Sequence, residues 1–376
     1  MSLRLSRITL REIRLPLREP FEISSGITTD RRILLLELED VDGIKAWSEC
    51  VAGERPNFSA ETIDTAWLAI TKWLAPRLLS GSVPHPSAIS DKLGTNIRGH
   101  LMAQAALEMG GWAVWASRKS LSLSRAIGGT QRSIATGISL GIQPTPAMLV
   151  DKSRTALESG YRKIKIKIRP GADIEYIAAV REALGVNAPL MVDANCAYTL
   201  RHTDHLADLD SFNLMMLEQP LAHDDLRRHA QLQDRISTPI CLDESITGLD
   251  RAEDMLALGS GRIINIKAGR VGGFTPAKAV HDLCQHHGTP VWCGGMLESG
   301  IGRAYNIALA SLPNFTIPGD ISPSAHYWQQ DIVTPEWTMD ANGMVMVPVE
   351  APGLGVRVDV NRVDNLTKRS KTLRPV

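Results

Sequence analysis

The stretch YRKIKIKIRP, residues 161–170, sets Lys163, Lys165 and Lys167 at every second position, with Ile164, Ile166 and Ile168 between them. An extended chain throws alternate side chains to opposite faces, so the lysines share one face and the isoleucines the other. Taken alone, the segment has two readings. It is an antiparallel strand with a solvated lysine face, or its ammonium groups point into a closed site. The chain around it decides.

From about residue 134, short apolar runs alternate with helical stretches. The runs are IATGIS (134–139), KIKIKI (163–168), LMVDAN (190–195), LMMLEQP (214–220), PICLDES (239–245), RIINIKAGR (262–270), PVWCGG (290–295) and FTIPGD (315–320). Helices are expected between them. One opens at Asp173, before IEYIAAVREAL, and another at Thr275-Pro276, a cap followed by proline at the first helical position. Runs that are apolar on consecutive residues suit strands covered on both faces. Eight β/α repeats favour a closed barrel over an open doubly wound sheet. No G-x-G-x-x-G follows the first run to suggest a dinucleotide site. The barrel is assigned to residues 131–330. Residues 1–130 read as an α+β domain, with strands in LSRITLREIRLPL, RRILLLELED and GIKAWSECV, a turn at Asp42-Gly43, and helices over 59–118. Residues 331–376 are expected to return and complete that N-terminal domain.

Composition excludes several classes. Lys+Arg and Asp+Glu both total 41, so nothing steers the chain toward nucleic acid or an anionic membrane. The N-terminus MSLRLSRITLREIRLPL lacks a signal peptide's apolar core, and runs such as ILLL (33–36) are too short to span a bilayer. The five cysteines, at 50, 196, 241, 284 and 293, form no C-x-x-C pair. They suggest reduced thiols in a cytoplasmic protein, not a disulfide frame or a zinc site.

The strand ends carry charge. Lys167, Asp193, Glu218, Asp243 and Lys267 follow one another at intervals of 26, 25, 25 and 24 residues, about one β/α unit each. In a barrel the C-terminal strand ends converge on one mouth, where active sites are built. Each acid taken singly could cap a turn. Five charges on consecutive strands are harder to explain that way. Three carboxylates facing one another would repel, a conflict that a divalent cation resolves, and an all-oxygen ligand set suits Mg²⁺ with Mn²⁺ as a substitute. Lys167 and Lys267, four strands apart in a ring of eight, would flank a carboxylate substrate bound to that metal. A deprotonated lysine could take its α-proton while the metal stabilises the enediolate. Lys165 would act on Lys167 as a neighbouring cation. On this reading the lysine face is turned into the barrel.

At these residues the chain resembles the enolase superfamily and its muconate-lactonizing subgroup. The K-x-K pair Lys165/Lys167, the acids Asp193, Glu218 and Asp243, and Lys267 carry the resemblance. The phrases VDAN (192–195), LEQPLAHDDL (217–226), TPICLDESI (238–246), INIKAGRVGG (264–273), PVWCGGMLESGIGRA (290–304) and PGDIS (318–322) are similar to the o-succinylbenzoate synthase/N-succinylamino acid racemase family. So are PFEISSG (20–26) and WSECVAG (47–53) of the N-terminal domain. The resemblance implies a modified TIM barrel of (β/α)7β type with an α+β capping domain. It implies Lys167 and Lys267 as acid/base lysines and Asp193, Glu218 and Asp243 as Mg²⁺ ligands. Asn195 would lie just behind the ligands, and Ser139, Gly295 and Met296 would line the substrate pocket. Arg270 matches an arginine that accompanies racemase-capable members, although an arginine after a strand is also an ordinary surface residue. Ala268 stands where proline is common. ISSG stands where an aromatic often precedes the glycine, in the loop that closes over substrate.

Several functions fit. One is o-succinylbenzoate synthase, a lyase of menaquinone biosynthesis, with racemisation of N-succinyl or other N-acyl amino acids at the same site. A dedicated racemase, a dipeptide epimerase, a muconate cycloisomerase and a non-catalytic barrel are the alternatives. The partner expected is a small carboxylate, and the chain is expected to form a homo-oligomer.

Overall fold

The computed structural model describes residues 2–375. Its N-terminal part is an antiparallel sheet of β1 (Leu3–Ile23), β2 (Gly26–Asp40) and β3 (Lys45–Cys50). The β2–β3 turn forms because Asp40 Oδ1 accepts from the backbone N–H groups of Asp42 and Ile44, both at 2.9 Å, while Gly43 takes a φ of +83°. The 18-residue helix Leu101–Arg118 packs on this sheet, and a Cβ on Gly110 would come within 2.6 Å of Leu38 Cδ1. Glu61 accepts from the first turn of that helix, at Met102 N (2.8 Å) and Ala103 N (2.9 Å). The C-terminal strand Thr367–Leu373 pairs antiparallel with β1 and extends the sheet.

Seven parallel strands follow in sequential order: Ile138–Leu140, Ile164–Lys167, Leu190–Asp193, Leu217–Glu218, Ile240–Leu242, Ile263–Asn265 and Val291–Trp292. Outward-facing Ile164, Ile166, Val192, Leu217, Leu242 and Ile264 are buried beneath the helices. The alternate positions face inward, where Met191, Met216, Cys241, Ile263 and Trp292 form a separate apolar cluster at the floor of the ring. Among the described residues, no helix is long and apolar enough to cross a membrane.

Two runs differ from the expected strands. IATGIS divides: Ser133–Ala135 pairs antiparallel with Met344–Met346, and the barrel begins only at Ile138. Gly137 makes the junction, since a Cβ there would lie 2.7 Å from Lys163 Cε. FTIPGD forms no regular strand. It closes the ring through isolated parallel bridges, Val291 to Phe315 and Thr136 to Gly319, because Pro318 lacks the N–H a ladder needs. The helix expected to open at Pro276 with Thr275 as its cap begins two residues earlier, at Phe274. Its cap is remote: the buried Glu108 carboxylate accepts from Phe274 N (2.8 Å) and Thr275 N (2.9 Å), which ties the N-terminal domain to the barrel.

Candidate active site

The register of the barrel places the charged strand ends side by side. Lys167 pairs with Asp193, and Asp193 with Glu218, at the last residues of strands two, three and four. Asp243 lies one residue beyond strand five, and Lys267 two beyond strand six, at the entry to the short helix Ala268–Val271. All five are buried. The inward lysine face of the second strand is therefore observed, and the solvated alternative is excluded.

Their contacts are ionic and specific. Lys167 Nζ lies 2.5 Å from Asp193 Oδ2 and donates to Asn195 Oδ1 at 2.7 Å. Lys165 Nζ reaches Asp193 Oδ2 and Glu218 Oε2, both at 3.2 Å, and Asp320 Oδ2 at 2.6 Å. Lys267 Nζ lies 2.7 Å from Asp243 Oδ2, and Arg270 Nη1 engages the other oxygen of the same carboxylate. Asn265 Nδ2 donates to Glu218 Oε1 at 2.7 Å. Across the strand, Gly294 is required by close approach, since a Cβ would meet Lys267 Cε at 2.6 Å.

The electrostatics follow from burial and crowding. Burial, reinforced by the neighbouring Asp193 charge, pushes the Glu218 carboxyl up to about 8. Asp193 moves the other way: burial opposes its ionisation, but Lys167 and Lys165 together hold it well below the usual carboxylate range. Asp243 is likewise lowered against burial, by Lys267 and Arg270. Lys165 is raised despite burial by Asp320, Glu218 and Asp193. It touches three acids, Asp193, Glu218 and Asp320, in addition to lying beside Lys167 on the same strand face.

Among the described residues no three acids, histidines or cysteines converge on one point as a cation would require, because each acid is drawn onto a lysine. The donor set nonetheless fits a hard divalent cation. It consists of buried carboxylates, one of which burial and then a neighbouring acid make hard to ionise.

Above the strand ends a cleft of about 870 Å³, its open mouth included, lies between the barrel and the N-terminal domain. Ser139, Lys165, Lys167, Asn195, Lys267, Gly295 and Met296 line it together. Arg270 does not. It is buried behind Asp243, donating to Ile246 O at 2.7 Å and Asn265 O at 2.5 Å, so it is no surface arginine. The ISSG loop covers the site, with Ser24 Oγ donating to Asn195 O at 3.1 Å.

Other participants escaped the sequence reading. Asp320 bridges Lys165 and Lys163, and Lys163 Nζ sits 3.4 Å above the Trp292 ring. The 25-residue step from Gly295 to Asp320 continues the strand-end spacing and was the available signal. Asn265, two residues before Lys267, lies on the same inward face. Phe58 packs its ring 4.5 Å from Lys267 Nζ, and no periodicity in the sequence announces that contact.

Residues 6–128 match the mandelate racemase/muconate lactonizing enzyme N-terminal domain, and residues 148–363 match the enolase C-terminal domain-like family. The chain is 47% identical over 371 residues to an o-succinylbenzoate synthase of Geobacillus kaustophilus, covering 99% of this chain and 98% of that one. It is 42% identical over 365 residues to an N-succinylamino acid racemase of Thermus thermophilus, covering 97% and 98%. A solved structure of an enolase superfamily member from Listeria innocua agrees with a TM-score of 0.95 at 36% identity, covering 99% of each chain.

Proposed function

The chain belongs to the mandelate racemase/muconate lactonizing enzyme family of the enolase superfamily, and on that premise we propose that it is an o-succinylbenzoate synthase that also racemises N-succinyl amino acids. The observation that carries this reading is the pair of buried ammonium groups, Lys167 and Lys267, four strands apart around one cleft.

Enzymes of this family depend on a divalent metal, and we assign Mg²⁺, with Mn²⁺ as a substitute. Asp193, Glu218 and Asp243 would hold it. When bound, it supplies a fixed positive charge that offsets the negative charge building on the substrate carboxylate as its α-proton leaves. Lys167, as the free amine, takes that proton and returns one to the hydroxyl on the same face, which departs as water. The ring gains the double bond that makes it aromatic, and no oxidant is needed. Lys267 presents a positive charge to the opposite face throughout. In racemisation the two lysines divide the work: one removes the α-proton, and the other delivers a proton to the other face. Lys165 keeps the acids in place from below, and Asn195 fixes the Lys167 ammonium.

The five free cysteines, four of them buried, agree with a reducing cytoplasm. A homo-oligomer is the assembly we expect. With Mg²⁺, the purified protein is expected to convert the cyclohexadiene carboxylate to its aromatic product and to exchange the α-proton of an N-succinyl amino acid in D₂O. Exchange without dehydration identifies a dedicated racemase. Failure of both overturns the reading.

A further inference from the structure

The roof of the cleft holds a charge that the reaction does not use. In β2 the adjacent arginines of TTDRRILLLELED turn to opposite faces, as strand geometry requires. Arg32 faces outward and is matched by Glu12 at 2.8 Å and Asp64 at 3.0 Å. Arg31 faces the barrel, is 6% exposed, and lines the cleft together with Lys165, Lys167 and Lys267. Its two terminal nitrogens donate to the Ala52 and Val51 carbonyls, each at 3.2 Å, and its Nε has no partner.

Among the described residues no carboxylate stands within ion-pair distance of Arg31. The acids whose charge reaches it most, Glu49 and Glu298, are committed elsewhere. Glu49 accepts from Ser299 Oγ (2.6 Å), Ser299 N (3.2 Å) and Gly302 N (3.1 Å), and Glu298 accepts from Met296 N (2.9 Å). Glu54, further off, pairs with Arg14 at 3.2 Å. A buried guanidinium with no counter-ion is costly. Here it lies at the edge of a ligand cleft, so an anion arriving with the ligand would offset that cost. A planar fork of donors suits a carboxylate best.

We infer that Arg31 is a specificity residue that receives the second carboxylate of a dianionic substrate, at the end of the cleft away from the reacting carbon. The assignment rests on the proposed function, in which both substrate types carry a succinyl arm ending in a carboxylate. The first carboxylate belongs to the lysines and acids of the barrel. The second, carried on the flexible arm past Phe21 and Ile23, meets the N-terminal domain at Arg31. The enzyme thereby distinguishes a succinyl arm from a neutral acyl group of similar reach.

The test uses the Mg²⁺-loaded full-length protein and three derivatives of one amino acid: N-succinyl, N-succinyl methylated on the distal carboxylate, and N-acetyl. α-Proton exchange in D₂O gives kcat and KM for each. The wild type should show a KM roughly 10²-fold lower for the free succinyl acid than for its ester, with kcat changed far less. Arg31→Met should raise the KM of the free acid by a similar factor, leave the ester and the acetyl compound within about threefold, and so abolish the preference. Arg31→Lys should recover part of it. A wild type indifferent to methylation overturns the assignment without any variant. Equal losses on all three derivatives also overturn it, and would make Arg31 a staple for the loop at Val51 and Ala52. If no derivative exchanges its proton, the functional reading fails instead. Calorimetric binding of the acid and the ester then decides Arg31 separately: equal Kd values reject it, and an Arg31-dependent difference supports it.

Discussion

The floor and the mouth of the barrel are built on the same inward-facing rows, two residues apart, and differ wholly in chemistry. Met191, Met216, Cys241 and Trp292 close the floor, while Asp193, Glu218, Asp243 and Gly294 stand above them at the mouth. The strand period of two carries each row from one layer to the next, so one fold serves both. Floor residues gain from burial. The charged mouth residues lose by it, and they are held by one another's opposite charges and by hydrogen bonds to Asn195 and Asn265. Only on the second strand does the row stay cationic throughout, from Lys163 on the Trp292 ring, through Lys165 among three acids, to Lys167 at the cleft. Stability is concentrated below and reactivity above.

Changes to the mouth should therefore remove activity while leaving the fold, and changes to the floor should do the reverse. The largest effect is expected from Asp243→Asn, or from dialysis against a chelator. Turnover should fall by more than about 10³-fold, and calorimetric titration of Mg²⁺ should lose its high-affinity phase, while the circular dichroism spectrum stays native. Full turnover after chelation would remove the metal from the account. Met216→Ala sharpens the contrast from the other side. Urea unfolding should show a loss of about 2–5 kcal/mol, and kcat/KM in saturating Mg²⁺ should change by less than about tenfold.

Arg270→Gln probes the boundary between the layers, because Arg270 and Lys267 share the Asp243 carboxylate. Racemisation, which needs Lys267 to give and take a proton, should fall more than dehydration, which needs it only as a cation. The ratio of the two kcat/KM values on one preparation reads the difference. Equal losses would reduce Arg270 to support of the shared site. The smallest effect is expected at the end of β1, beside the ISSG loop. Glu22, between the cleft-lining Phe21 and Ile23, pairs with Arg169 of the barrel at 3.0 Å, and both are partly exposed, so Glu22→Gln should raise KM by no more than about fivefold.

What the sequence made legible was whatever repeats. The alternation in KIKIKI and the near-equal steps from Lys167 to Lys267 are local regularities, and the structure places all five charges at one mouth. Contacts made once, between distant segments, leave no such trace. Arg31 faces the cleft from a strand that reads only as apolar and charged, and Phe58 meets Lys267 from a loop. Glu108 caps a helix 166 residues further along the chain. Asp320 falls between these cases. Its spacing continues the pattern, but Pro318 denies its segment a regular strand, so the eighth run reaches the mouth without the ladder that marks the others.

The central claim is that Lys167 and Lys267 act on opposite faces of one α-carbon, and isotope exchange tests it most directly. Each enantiomer of an N-succinyl amino acid would be incubated in D₂O with Mg²⁺ and the wild type, Lys167→Ala or Lys267→Ala, and α-deuterium followed by NMR. The account predicts that each variant loses exchange of one enantiomer, and that the two variants lose opposite ones, with dehydration reduced in both by about 10²–10⁴-fold or more. Exchange of both enantiomers at wild-type rates by either variant would contradict it.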